Sequence, residues 1–159
     1  YDIFSRMEDG TLTLDPSETE QAFMERVLQA VFKPCDGSPA TFNDVLSPRF
    51  VECNAEEKSL CAEFAVADRM CNPTGNLHGG LLSTAVDIAV GVLARYYKQT
   101  RRMGTVNLYI NYLSTVPADS KYCVRATVDR VGRRMVFARA EVYVVETGKL
   151  AATASVTFM

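Results

Sequence analysis

Tryptophan is absent from the 159 residues, and histidine occurs once, at His78. A lone His among scattered cysteines leaves no convergent set of three or four ligands, so neither a metal site nor another cofactor is expected. The five cysteines, Cys35, Cys53, Cys61, Cys71 and Cys123, are odd in number and have no C-x-x-C spacing. That argues against a disulfide framework and for a reducing compartment, either cytoplasmic or mitochondrial. Charge of one sign is also lacking, since 17 Lys and Arg stand against 19 Asp and Glu, for a net charge of -2. Without a domain-wide excess of cations, nucleic acid is excluded as the main partner. No unbroken apolar run approaches the roughly 18 residues of a membrane span. The longest candidate, Leu77 to Ala94, is interrupted by Asp87 and by glycines. No signal peptide is visible.

What is present is 48% hydrophobic residues, enough to bury one core in a chain of one-domain length. Residues 1–14 have no clear period and read as mobile. Asp15, Pro16 and Glu18 carry helix-start chemistry, repeated one step later by Ser17 and Glu20. Phe23, Met24, Val27, Leu28 and Val31 then recur at helical spacing until Lys33-Pro34. Residues 35–48 read as a loop with a short turn of helix at 41–46. From Arg49 the period becomes two, with strands expected over 50–55 and 59–66. A loop at 67–77 leads into a long apolar helix over about 79–97. Strand-period runs follow at 104–114, 121–131, 134–146 and 149–158, with Gly132 and Thr147-Gly148 at the turns. The resulting expectation is an α+β domain over 49–159 behind an N-terminal extension, 1–48, that carries a helix. A helix apolar nearly all round must be covered, most simply by a curved antiparallel sheet wrapped around it.

Asp87 is the only charged side chain between Gly79 and Ala94. A carboxylate on such a helix has to be paired, hydrogen-bonded, protonated or at a water-filled site, and structural and functional readings are both open. The second feature is N-P-T-G-N-L-H-G-G at 72–80, which runs into the same helix. The first amides of a helix lack internal acceptors and lie at the positive end of its dipole, a place for a developing oxyanion. Eight residues separate Gly79 from Asp87, about 12 Å along one axis, so they cannot flank one small reacting group within one chain. Two such helices packed antiparallel about a two-fold axis would bring Gly79 of one near Asp87 of the other.

These features, with T-V-N-L-Y-I-N-Y-L at 105–113, V-G-R-R-M at 131–135 and G-K-L-A-A-T-A at 148–154, resemble the hotdog-fold acyl-CoA thioesterases of the H-G-G subgroup, the phenylacetic-acid-degradation and thioesterase superfamily member 2-like proteins. The similarity spans residues 50–159. It implies a hotdog fold and hydrolysis of acyl-CoA to free acid and CoA, in a homodimer or homotetramer with its sites at the dimer interface. It also implies that the Gly79 N–H polarises the thioester carbonyl and that His78 shapes that pocket. Asp87 of the partner would act as base or nucleophile, Asn72 would organise the site, and Thr105 would hold the water. Gly80 would lie against the substrate. Many relatives read T-V-D-L-N where this chain has T-V-N-L-Y, so Asn107 and Tyr109 are expected to alter the acyl pocket or the interface. The N-terminal extension would close one end of a substrate tunnel.

CoA phosphates need cations. Arg133 and Arg134 at the turn after Gly132 are the first candidates, with Lys98, Arg101 and Arg102 behind them. Ser83 lies five residues beyond His78 and faces elsewhere on the helix, which argues against a serine-hydrolase triad. Cys71 reads as an inert thiol. Tyr96, Tyr97, Tyr109 and Tyr112 read as core or interface. Two other readings stay open: a non-catalytic acyl-CoA-binding or regulatory protein, and a hydratase or dehydratase, the latter ranked lower because His78 is the only His.

Overall fold

The computed structural model describes residues 1–159. Three helices come first: α1 (Asp2–Glu8), α2 (Glu20–Val31) and α3 (Phe42–Leu46). Strands β1 (Arg49–Asn54) and β2 (Ser59–Ala65) precede the long helix α4 (Gly79–Lys98). Strands β3 (Thr105–Tyr112), β4 (Lys121–Val131), β5 (Val136–Val144) and β6 (Leu150–Phe158) follow it. All six strands form one antiparallel sheet in the order β1-β2-β4-β5-β6-β3. This is the α+β hotdog arrangement, a sheet curved around one helix.

Alternation decides which face is buried. Leu60, Ala62 and Phe64 of β2 turn inward with Tyr122, Val124, Ala126 and Val128 of β4. Val136, Ala138, Ala140, Val142 and Val144 of β5 join them, as do Ala152, Ala154, Val156 and Phe158 of β6. Against this face lie Leu82, Val86, Ala89, Val90 and Leu93 of α4, all buried. Each fully buried Val or Leu contributes about 1.5–3 kcal/mol. By length and composition α4 resembles a membrane-crossing helix, contrary to the expectation that no segment would. Its apolar surface is instead covered by the sheet and the N-terminal helices.

The N-terminal segment differs from its expected form. Residues 2–8 are helical rather than irregular, because Phe4 and Met7, three apart, both enter the common core. Helix α2 starts later than the Asp15-Pro16 signal. Asp15 accepts from the Ser17 amide and hydroxyl in a preceding turn, and the N-cap is Thr19, whose side chain accepts from the Ala22 amide at 3.1 Å. Phe23, Met24, Val27 and Leu28 are buried as the spacing predicts. The short helix at 41–46 is present and carries a Thr41/Asp44 capping box.

Strand β5 is shorter at both ends than the 134–146 run. Residues 132–135 form the hairpin turn, closed by the Gly132 amide donating to Met135 O at 2.7 Å. A Cβ on Gly132 would lie 3.0 Å from that same oxygen, so the turn needs glycine for space. One irregularity matters for the site. Strand β3 shifts register against β6 between Thr105 and Asn107. Leu108, Ile110 and Tyr112 oppose the inward-facing Val156, Ala154 and Ala152. Plain alternation from these would put Thr105 on the outer face. The bulge instead places Thr105 opposite Phe158, on the face that meets α4.

Candidate active site

The loop before α4 is fastened on both sides. The Leu77 amide donates to Val116 O, the His78 amide to Met70 O, and the Ala118 amide to Gly75 O. Within the loop, Asn72 Oδ1 accepts from the Thr74 amide at 3.0 Å, the Thr74 hydroxyl at 2.7 Å and the Asn76 amide at 3.2 Å. Asn72 thus shapes the 72–76 turn that leads the chain into His78.

His78 is the N-cap of α4, and its Nδ1 accepts from the Gly80 amide at 3.2 Å. A neutral ring accepting at Nδ1 carries its proton on Nε2, which makes the outward edge of His78 a donor. The Gly80 amide is therefore occupied, and its carbonyl accepts from Ser83 Oγ at 2.8 Å and Thr84 Oγ1 at 2.9 Å. Both hydroxyls bond back along the helix and away from His78. The Gly79 amide makes no hydrogen bond within the chain. Its carbonyl accepts from the Tyr112 hydroxyl at 2.6 Å, and a Cβ at Gly79 would lie 3.3 Å from the Tyr112 ring. Tyr112, read from sequence as core or interface, is thus a positioning residue for the free amide. Its position in β3 and the absence of a side chain at Gly79 were the only available signals.

Two turns along α4, half-buried Asp87 accepts at Oδ1 from Thr105 Oγ1 at 2.6 Å. Oδ2 has no partner within the chain. The lone carboxylate of the apolar helix is therefore hydrogen-bonded, and the β3 bulge delivers the donor. Its charge also reaches the Tyr1 phenol, which burial pushes above the usual tyrosine range, with Arg95 opposing and Asp87 adding to the shift.

The candidate residues thus form separate groups. Asn72, His78, Gly79, Gly80 and Tyr112 surround the start of α4. Asp87 and Thr105 lie about 12 Å along it. At the far end Lys98 Nζ donates to Gly132 O at 3.2 Å and Arg133 O at 2.9 Å. Lys98 is therefore committed to holding the β4–β5 hairpin, whereas Arg133 and Arg134 on that hairpin are exposed. Arg101 is also exposed, and its carbonyl accepts from Arg95 Nε at 3.2 Å. Arg102 pairs with Glu8 at 3.6 Å.

Residues 74–151 match the Thioesterase superfamily. A candidate esterase of Pseudomonas aeruginosa is 32% identical over 116 residues, covering 72% of this chain and 84% of that protein. The chain belongs to the Thioesterase superfamily. Acyl-coenzyme A thioesterase 13 of Mus musculus is 30% identical over 112 residues, 70% of this chain and 79% of the mouse protein. Among solved structures, a phenylacetic acid degradation-related protein of Ralstonia eutropha superposes with a TM-score of 0.66 at 25% identity. That alignment covers 99% of this chain and 98% of the other, and so takes in the N-terminal helices. As a member of this superfamily the chain is a thioester hydrolase. The matched region holds His78, Gly79, Asp87, Thr105 and Tyr112 together.

Proposed function

We propose that this thioesterase hydrolyses acyl-CoA at two composite sites of a homodimer, each built from Gly79 of one protomer and Asp87 of the other. The observation that carries this reading is the pair of unfinished groups on one helix: an amide without an acceptor and a carboxylate oxygen without a donor, about 12 Å apart. A second copy packed with α4 antiparallel would satisfy both at once. Edge strand β3 supports that packing, because Val106, Tyr109 and Tyr112 are exposed along it and Leu113 just beyond its end. Antiparallel pairing of β3 with its copy would continue the sheet and set the two helices side by side.

In such a site the Gly79 amide and His78 Nε2–H donate to the thioester carbonyl oxygen. A water lies on Asp87 Oδ2, with Oδ1 held by Thr105. Asp87 takes a proton as the water oxygen attacks the carbonyl carbon. The tetrahedral oxyanion then rests on the Gly79 amide. Collapse breaks the C–S bond, and the CoA sulfur leaves with the proton returned by Asp87. Arg133 and Arg134 fit the CoA phosphates. Their hairpin is tied to Lys98, about 16 Å beyond Asp87 along α4, on the side toward which the partner's loop 72–78 would extend. Arg101 belongs to the same cationic end.

Replacing Asp87 with Asn tests the reading. Release of CoA from a panel of acyl-CoA substrates should fall on the order of hundredfold or more, with the oligomer intact. Full turnover by Asp87→Asn would remove the base. Acyl-CoA binding without turnover by the unaltered protein would instead favour a regulatory binder.

A further inference from the structure

One side chain ties the connection between α4 and β3 back to the helix. Gln99, in the left-handed region at φ 51°, ends α4, and Gly104 leads into Thr105 at the start of β3. Arg95 spans that turn. Its Nε donates to Arg101 O at 3.2 Å and its Nη2 to Met103 O at 2.6 Å. Bonds from an ionised donor are stronger than neutral ones, and the planar guanidinium presents its donors in a fixed fork.

The guanidinium is itself held in place. It lies between the rings of Tyr1 and Phe158, 5.1 and 5.7 Å from their centres. Like other helical side chains it leans toward the helix N-terminus, and it comes to rest over Gly91. A Cβ at Gly91 would lie 2.8 Å from Arg95 Nη1 and 3.0 Å from the Phe158 ring. Glycine inside a helix is less favourable than alanine, yet Gly91 is buried in the middle of α4. The room it leaves is the room the guanidinium uses. Asp87, Gly91 and Arg95 are spaced by four, so all three lie on one stripe of the helix.

The bond from Thr105 to Asp87 crosses from the sheet to the helix. Its length depends on where the start of β3 lies relative to α4. Two backbone bonds between Gly104 and Met159, at 2.8 and 2.9 Å, fix that point against the end of β6. They do not fix it against α4, whereas the two bonds from Arg95 do.

We infer that Arg95, seated over Gly91, is a positioning residue for the hydrolysis: it sets the α4–β3 turn so that Thr105 meets Asp87 Oδ1 and leaves Oδ2 to the water. The inference rests on the acyl-CoA reading above and adds Arg95 and Gly91 to it.

Gly91→Ala is the sharper test, because it removes no bonding group. The new methyl pushes aside the flexible end of Arg95 while alanine improves the helix, so Tm should fall by no more than about 2 °C. With the best substrate of the acyl-CoA panel, kcat should nevertheless drop by about three- to tenfold, with KM within about twofold. Arg95→Met keeps the stem between the two rings but loses the donors, and should lower kcat by a similar factor. The route through Thr105 is read from a double-mutant cycle. In a Thr105→Val background, Gly91→Ala and Arg95→Met should lower kcat no further. Unchanged kcat in both folded variants, a rise in KM alone, or the same fold loss in the Thr105→Val background overturns the inference. Full turnover by Asp87→Asn would strike the hydrolytic reading itself. Impaired Asp87→Asn and Thr105→Val beside unaffected Gly91→Ala and Arg95→Met would strike only the role of Arg95.

Discussion

Along β1, the side chain of Gln21 does what a neighbouring strand would do. Its Nε2 donates to Cys53 O at 2.8 Å and its Oε1 accepts from the Ala55 amide at 2.7 Å. At the opposite edge, β3 has no such cover, and Tyr109 is 68% exposed, Leu113 56% and Val106 48%. An uncovered apolar edge is a hazard in a lone chain, so the contrast between a partly covered edge and an open one supports the proposed pairing of β3 with a second copy. The open edge also carries Thr105 and Tyr112, the two residues that touch Asp87 and Gly79. The strand that would make the dimer is thus the strand that positions the chemistry.

The sharpest way to break the comparison is to close the open edge with charge. Val106→Lys combined with Leu113→Lys should yield a monomer in analytical ultracentrifugation, because like charges would face each other across a two-fold strand pair. CoA release should then fall on the order of hundredfold, the effect of losing an oxyanion donor. A fully active monomer would place the whole site within one chain and end the composite reading.

A smaller effect is expected from Thr105. Removing a hydrogen bond to a charged group costs about 1.5–3 kcal/mol, so Thr105→Val should lower kcat by about tenfold or more with KM little changed. Thr105→Ser keeps the hydroxyl and should restore most of the rate. If Ser and Val behave alike, the hydroxyl is irrelevant and the residue serves only the strand.

Sequence periodicity showed most of this architecture because burial writes itself directly into spacing. The alternation of Val136, Ala138, Ala140, Val142 and Val144 could only be one strand face, and the apolar helix with a single Asp had to be central. The N-cap loop was legible because 72–80 is contiguous. The features that stayed hidden are those made by distant or irregular geometry. The bulge that turns Thr105 inward leaves no mark on composition, since Val106 is an ordinary strand residue. Tyr112 reaches Gly79 across 33 positions, so its hydroxyl had no visible partner. Lys98 resembled any terminal helix cation until its two hairpin carbonyls were seen. The Asp15 signal misled because Asp15 does make the bonds of a helix start, but to a turn that stops short of α2.

Gln21 gives the mildest test, on the partly covered edge. It reads as a polar helix position, yet its amide satisfies the Cys53 carbonyl of β1 and the Ala55 amide just beyond that strand, 32 and 34 residues away. Gln21→Ala would return Cys53 O and the Ala55 amide to water. The two bonds are part-buried, so their loss should destabilise the fold by about 1–2 kcal/mol, a Tm decrease of roughly 3–6 °C. Urea denaturation would read the first quantity and calorimetry the second. Turnover per folded molecule should be unchanged, because β1 is the strand farthest from β3 in the sheet. Loss of activity at full stability would mean that α2 transmits to the site as well as sealing the edge, and the two edges would no longer be independent.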